Sequence, residues 1–303
     1  MNYELIIVRY GELALKGKET RKRFENVLIS NIKNAFCKEN ISSKIIKEWG
    51  RIYVYTTKIN KCIDILQKIF GITSISPAYQ TKSDMEFMSK LAVDISKEEL
   101  IKEKSFALRV NRTGKHVFTS MDVAVKIGNE IVKNTKASVN LSNPDFELFI
   151  EIRNDKAFLF TKKIHCVGGM PFGTQGNIIA LIDKIDSILA AWYLIHRGCN
   201  VIFVITKEFN KDFLNSFIEN WFLKSSIFTI NPKKNIYNQI NQIACKRNCD
   251  AVVTNHTVFN NSKIVLSEIR QLKKYLIAPV LNPLIAMNKR EIINKCKEIG
   301  LKI

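Results

Sequence analysis

At 303 residues the chain is long enough for two or more domains of roughly 150 residues each. Its 46% apolar and 25% charged residues suit a globular protein that buries real cores, which excludes wholesale disorder. Lys and Arg number 47 against 28 Asp and Glu, a formal net charge of +19; that is the footprint of a polyanion binder, although a lysine-rich proteome also produces basic chains.

The excess is spread along the chain. Residues 1–80 carry 14 basic and 7 acidic side chains, residues 81–170 carry 15 and 12, and residues 171–303 carry 18 and 9. Several modules along one RNA account for this better than a single basic tail. The longest apolar stretch near the middle, residues 188–195, has only eight residues, where a membrane-spanning helix needs about 20. Arg9 and Glu12 come too early for a signal peptide, so the expectation is a cytoplasmic protein with no membrane partner. The seven cysteines, at 37, 62, 166, 199, 245, 249 and 296, read as reduced thiols. None shows the C-x₂-C pairing of a structural zinc site, and no metal is expected.

In chain order, residues 3–8 (YELIIV) predict a strand. Residues 19–36 predict a helix, with Phe24, Val27, Leu28, Ile32 and Phe36 on one face. Strands are predicted over 43–47 and 51–56, joined through Gly50. A second helix over 59–70 stops at Gly71, and a last short strand covers 72–76. The order β-α-β-β-α-β is that of a ferredoxin-like module. Beyond it come a helix over 85–100, a strand over 106–110, a helix over 122–134 and strands over 146–152 and 157–161 turning at Asn154-Asp155. Gly168 to Gly173 reads as a linker. The strand at 178–182, helix at 187–197 capped by Gly198, strands at 201–206, 251–254 and 279–281, and helix at 289–299 predict a doubly wound parallel sheet.

Four ordered motifs carry a resemblance that spans essentially the whole chain. Ile7-Val8-Arg9-Tyr10-Gly11-Glu12-Leu13-Ala14-Leu15-Lys16-Gly17-Lys18 resembles the opening of the tRNA 4-thiouridine synthetases, the ThiI family of tRNA sulfurtransferases. Phe70-Gly71-Ile72 through Pro77-Ala78 resembles the end of that family's N-terminal domain. Val139-Asn140-Leu141-Ser142-Asn143-Pro144-Asp145 and the GGMPFGTQG segment resemble its THUMP domain and exit. Val280-Leu281-Asn282-Pro283-Leu284-Ile285 resembles the PLI segment of its last domain.

The resemblance implies a multi-domain α/β protein. A ferredoxin-like domain is expected over 1–80, an RNA-binding THUMP domain over 81–168, a linker over 169–176, and an adenine nucleotide α-hydrolase-like (PP-loop) domain over 177–303. It also implies tRNA as partner, gripped at its acceptor end. In active members the last domain uses ATP and Mg²⁺ to adenylate uridine 8 before sulfur arrives through a cysteine persulfide or an iron–sulfur cluster.

The residues of that chemistry are altered here. The family's loop reads Ser-Gly-Gly-Ile-Asp-Ser, because small glycine-rich backbone lets consecutive N–H groups close round an anion at a helix N-terminus. This chain has Ile182-Asp183-Lys184-Ile185-Asp186-Ser187, keeping only Asp186 and Ser187 of the polar positions as a vestigial ATP site. Asp183 would point a carboxylate at polyphosphate; read structurally, it caps the following helix, with Asp186 in the first turn. The family's Thr-Gly-Glu-Ser becomes Thr254-Asn255-His256-Thr257, and its later glutamine and Ser-Gln become Asn260 and Lys263-Ile264.

No counterpart of the Cys-Arg-Arg segment is found, the stretch from Thr206 to Cys245 is short, and no rhodanese domain is expected. Cys245 and Cys249, four apart on an expected helix, read as small core residues, and His256 as a surface or capping residue. No catalytic residue is assigned. The expectation is a tRNA-binding family member without adenylation or sulfur-transfer activity of its own, working as a homodimer or with a partner modification enzyme. The alternative is an active ATP-dependent sulfurtransferase making 4-thiouridine. For RNA contact the candidates are Arg109, Arg112, Lys115 and His116 in the THUMP-like segment, and Lys16, Lys18, Arg21, Lys22 and Arg23 at the N-terminal loop-to-helix junction.

Overall fold

The computed structural model describes residues 2–100, 104–259 and 262–301. Among the described residues no helix is long and apolar enough to cross a membrane. The chain forms two compact units that interleave along the sequence. One comprises Met1–Arg9, Phe36–Gln67 and Ser74–Cys166, and the other Tyr10–Ala35, Lys68–Thr73 and Val167–Ile303.

The first six elements run β1 (Leu5–Tyr10), α1 (Lys18–Lys38), β2 (Lys44–Glu48), β3 (Arg51–Tyr55), α2 (Ile59–Leu66) and β4 (Ile72–Lys82), the ferredoxin-like order. There follow α3 (Met85–Glu99), β5 (Ser105–Thr113), α4 (Ser120–Thr135), β6 (Ser138–Val139), β7 (Phe146–Arg153), β8 (Lys156–Phe160) and β9 (Ile164–His165). These strands make one sheet in the order β2-β3-β1-β4-β8-β7-β5-β6, with β9 also on β4. The expected short strand at 72–76 is instead 11 residues long. It runs through Pro77 because its partner changes there: Ser74 and Ile75 pair with β9, and Tyr79 to Lys82 pair with β8. The missing N–H of Pro77 thus falls between two ladders.

One face of the first unit packs α3 (Met88, Ala92, Ile95) and α4 (Val123, Ile127, Ile131) on Phe106, Leu148, Ile150 and Leu159. Across Leu5, Ile7 and Ala78, Tyr53 stacks on Phe158 with ring centroids 4.6 Å apart. That contact brings the β2–β3 hairpin against the β7–β8 hairpin. Helix α4 starts on a capping box in which Thr119 and Asp122 exchange side-chain-to-backbone bonds.

The second unit alternates β10 (Asn177–Ile182), α5 (Ile185–His196), β11 (Asn200–Thr206), α6 (Lys211–Asn220), β12 (Ser226–Ile230), α7 (Ile236–Arg247), β13 (Cys249–Val253), α8 (Ser262–Tyr275), β14 (Val280–Leu281) and α9 (Lys289–Glu298). All its strand pairs are parallel, in the order β12-β11-β10-β13-β14. Successive strand residues point to opposite faces, so Ile178, Ala180 and Phe203 meet α5, α6 and α9, while Ile179, Ile202 and Val252 meet α7.

The glycine-rich segment after residue 167 is packed. Met170 and Phe172 are buried, and Met170 N–H donates to His196 O at the end of α5. A Cβ at Gly169, whose φ is +73°, would lie 2.3 Å from that oxygen. One expectation is corrected: Cys245 is exposed on α7, whereas Cys249 opens β13 beyond left-handed Asn248. The helix stops between them, so they share no face and Cys245 is no core residue.

Candidate nucleic-acid interface and nucleotide cleft

In a doubly wound sheet, ligands bind beyond the carboxyl ends of the strands where the strand order reverses. Here that point lies between β10 and β13. The loop leaving β10 holds no residue at positive φ, and Lys184 is extended at φ −141°. Ser187, 1% exposed, folds back over it. Its Oγ accepts the N–H groups of Asp183 (3.4 Å) and Lys184 (3.2 Å) and donates to Asp183 Oδ1.

The expected cap is therefore corrected. Asp183 does not accept a backbone N–H of α5, because Ser187 in the first turn satisfies the loop amides and supplies a hydroxyl proton that the carboxylate takes. Asp186 does lie in that first turn, where the helix dipole favours it, and it accepts Asn255 Nδ2 at 2.9 Å. Asp186 and Ser187, the residues expected at the ATP site, are thus adjacent and each is engaged within the protein.

A cleft of about 660 Å³ opens beside the loop, lined by Asp183, Lys184, Asp186, Phe209, Thr257 and Lys289 among others. Its amides at 183 and 184, the groups able to cradle an anion, are spent on Ser187. Behind it, Thr254 Oγ1 lies 2.7 Å from His256 Nδ1 and bonds Asn282 Oδ1, while His256 Nε2 lies 3.5 Å from Glu268. His256, expected as a surface or capping residue, is instead partly buried between the end of β13 and α8. Asn260 lies outside the described residues, and Lys263 and Ile264 are exposed on α8.

The N-terminal candidates belong to the second unit. Lys16 ends a short 3-10 turn, Glu12–Leu15, and Lys18 begins α1. Lys16, Lys18, Lys22 and Arg23 are exposed. Arg21 approaches Glu25 at 3.9 Å, and Arg23 lies over the Phe24 ring.

The THUMP-like candidates lie on the first unit, along β5 and its exit. Arg109 donates to Glu147 and to Leu141 O, both at 2.8 Å. Arg112 donates to Gly114 O (3.2 Å) and approaches His116 Nδ1 (3.3 Å), whose Nε2 lies 2.6 Å from Asn154 O. That arrangement assigns the proton of the neutral ring to Nε2. Arg112 and His116 build the turn, and exposed Lys115 is presented by it. At Gly114, φ is +107° and an added Cβ would meet Asn154 Oδ1 at 2.8 Å, so the turn requires glycine.

Sequence reasoning missed a charge cluster at the neighbouring hairpins. Glu151, 6% exposed, meets Arg9 at 3.2 Å and Arg51 and Arg153 at 2.8 Å each. Burial opposes ionisation of Glu151, yet Arg51 and Arg9 hold its carboxyl below the usual range. Burial likewise lowers the Arg9 pKa, against the pull of Glu151. The signal was there: a glutamate at an inward position of the strand FELFIEIR is buried only if cations meet it.

Comparison with known proteins matches the ThiI ferredoxin-like domain over residues 5–76, the THUMP domain over 82–162 and the thiamine biosynthesis protein (ThiI) family over 210–302. The chain is 31% identical to a probable tRNA sulfurtransferase of Methanobrevibacter smithii, covering 99% of this chain and 87% of that one. It is 32% identical to the Methanocaldococcus jannaschii counterpart, covering 97% and 87%. The first alignment spans 337 positions, more than the chain's length, so that relative carries internal segments absent here. Among solved structures, a 4-thiouridine synthetase–RNA complex with bound ATP superposes with TM-score 0.84 at 26% identity, covering 99% and 85%. PH1313 from Pyrococcus horikoshii superposes equally well at 29% identity, covering 98% and 100%.

Proposed function

The chain belongs to the tRNA sulfurtransferase (ThiI) family, and from that premise we propose that it binds tRNA near the acceptor end and serves tRNA modification without adenylating or thiolating the RNA by itself. Segments 1–80 and 81–168 act as its RNA-binding part and 177–303 as a degenerate nucleotide domain. The observation that carries this reading is the loop after β10, closed on itself by Ser187.

ATP and Mg²⁺ fit the residues present poorly. Polyphosphate needs free amides and cations, and here the amides are bonded while Asp183 lines the cleft. Two like charges about 4 Å apart repel by roughly 4 kcal/mol at an effective dielectric near 20. Lys184 and Lys289 offset part of this. Phosphoryl-type chemistry rests on positioning and charge stabilisation, and the loop opposes both.

Incubation of the protein with ATP, Mg²⁺, a sulfur donor and unmodified tRNA should give neither 4-thiouridine nor adenylated RNA. The retention of Asp186 and Ser187 favours a second reading, an active sulfurtransferase with an unorthodox loop. Thiolated tRNA above the no-protein control would establish that one instead. A homodimer or a partner enzyme supplying the missing chemistry fits the first reading.

A further inference from the structure

The β2–β3 turn carries Trp49, 70% exposed, whereas Trp192 and Trp221 are 5% and 9% exposed. The turn is held from beneath. Arg153 Nη1 donates to Trp49 O at 2.9 Å from the end of β7, and Arg51 Nη1 donates to Gly50 O at 2.7 Å. Gly50 has φ +74°, and Lys156 pairs with Glu48 at 3.5 Å on the preceding residue. Arg51 and Arg153 are the arginines that share Glu151 with Arg9. Arg51 and Arg153 thus place two guanidiniums directly under the turn, each tied to Glu151.

The adjoining β7–β8 turn also anchors the Arg112–His116 turn, since Asn154 O bonds His116 Nε2 and Asn154 N–H donates to Thr113 O. The hairpin ends of this unit therefore bring together an exposed aromatic ring on a fixed backbone, the guanidiniums of Arg51 and Arg153, and exposed Lys115.

We propose that Trp49 is a stacking platform for an unpaired nucleobase of bound RNA, with the guanidiniums of Arg51 and Arg153 and the exposed Lys115 drawing in the flanking phosphates. The proposal rests on the reading that the chain binds tRNA, and it adds a binding residue that lies in the ferredoxin-like segment. Single-stranded nucleic acid is held by this combination, a flat ring for the base and a basic groove for the backbone. A ring whose backbone is already fixed loses little conformational freedom on binding.

The test uses the full chain and its Trp49→Ala and Trp49→Phe variants, titrated with unmodified tRNA and with single-stranded hexaadenylate over a range of salt. Trp49→Ala should bind both about tenfold more weakly, with the salt slope unchanged, because stacking releases no counterions. Trp49→Phe should stay within about threefold of the parent affinity. It should also lose the RNA-induced quenching of tryptophan emission that the parent shows. Wild-type affinity in Trp49→Ala, with emission unquenched while the parent still binds tRNA, would overturn the platform and leave RNA binding standing. Failure of the parent to bind tRNA even at low salt would defeat the underlying reading. Quenching by hexaglutamate but not by RNA would assign the turn to an acidic protein partner and overturn the proposal.

Discussion

Ser187 illustrates how one side chain decides the state of a site. With its hydroxyl removed, the amides of Asp183 and Lys184 and the Asp183 carboxylate lose their common partner, and Ser187→Ala should cost about 1–2 kcal/mol in a urea titration. On the proposed reading the parent should give no heat with MgATP by calorimetry, and Asp183→Gly with Lys184→Gly should give a measurable one. The double variant should lose about 0.5–1 kcal/mol of stability per glycine.

Glu151 makes a prediction in pH. Its carboxyl is held below the ordinary 4.5, so folding is stabilised above the unfolded value of about 4.3. That stabilisation is lost as pH falls through the lower folded value. Glu151→Gln should therefore be less stable at pH 7 and lose less on acidification, as acid-unfolding curves would register. The loop's substitutions were legible in the sequence, since a carboxylate where a family keeps glycine is visible by eye. Its closure by Ser187 was not, because hydroxyl geometry follows from the first turn of α5.

Elements were legible in proportion to the apolar surface they bury. Helix α5 buries Ile188, Leu189, Trp192 and Ile195 and announced itself. Helix α7 is rich in Asn and Gln and buries only Ile240 and Ala244, and α8 buries no residue; of α7 only the stretch round Cys245 was expected to be helical, and α8, α6 and β12 escaped a reading based on periodicity. The two-residue strands β6, β9 and β14 are too short for any pattern, although the residues of β14 fell inside a predicted strand. The energetic corollary is testable by denaturation. Ile188→Ala, at 0% exposure, should cost about 2–5 kcal/mol. Leu266→Ala on α8, 51% exposed, should stay within about 0.5 kcal/mol of the parent.

For the whole molecule the net charge of +19 sets the expectation that tRNA affinity falls linearly in log–log form as salt rises, by about 0.7–0.9 per phosphate neutralised. The structure refines which residues contribute. Arg109 and Arg112 are spent partly on Glu147, Leu141 and Gly114, whereas exposed Lys115 is presented by the turn. Lys115→Ala alone should lower the slope by about one unit, and adding Arg112→Ala should weaken binding chiefly by loosening the turn.

The interleaving of the two units bears on the order in which the protein can be made. The second unit takes Tyr10–Ala35 from the start of the chain and Val167–Ile303 from its end. Arg197 grips Glu12 at 3.0 Å and Asn31 Nδ2 bonds Phe172 O, so residues 10–35 emerge from the ribosome long before their partners exist. Leu28 and Ile32, fully buried in the finished protein, spend most of synthesis without the later residues of their unit. The newborn chain must keep this helix from misassociating, and a fragment of residues 169–303 would lack part of its own unit.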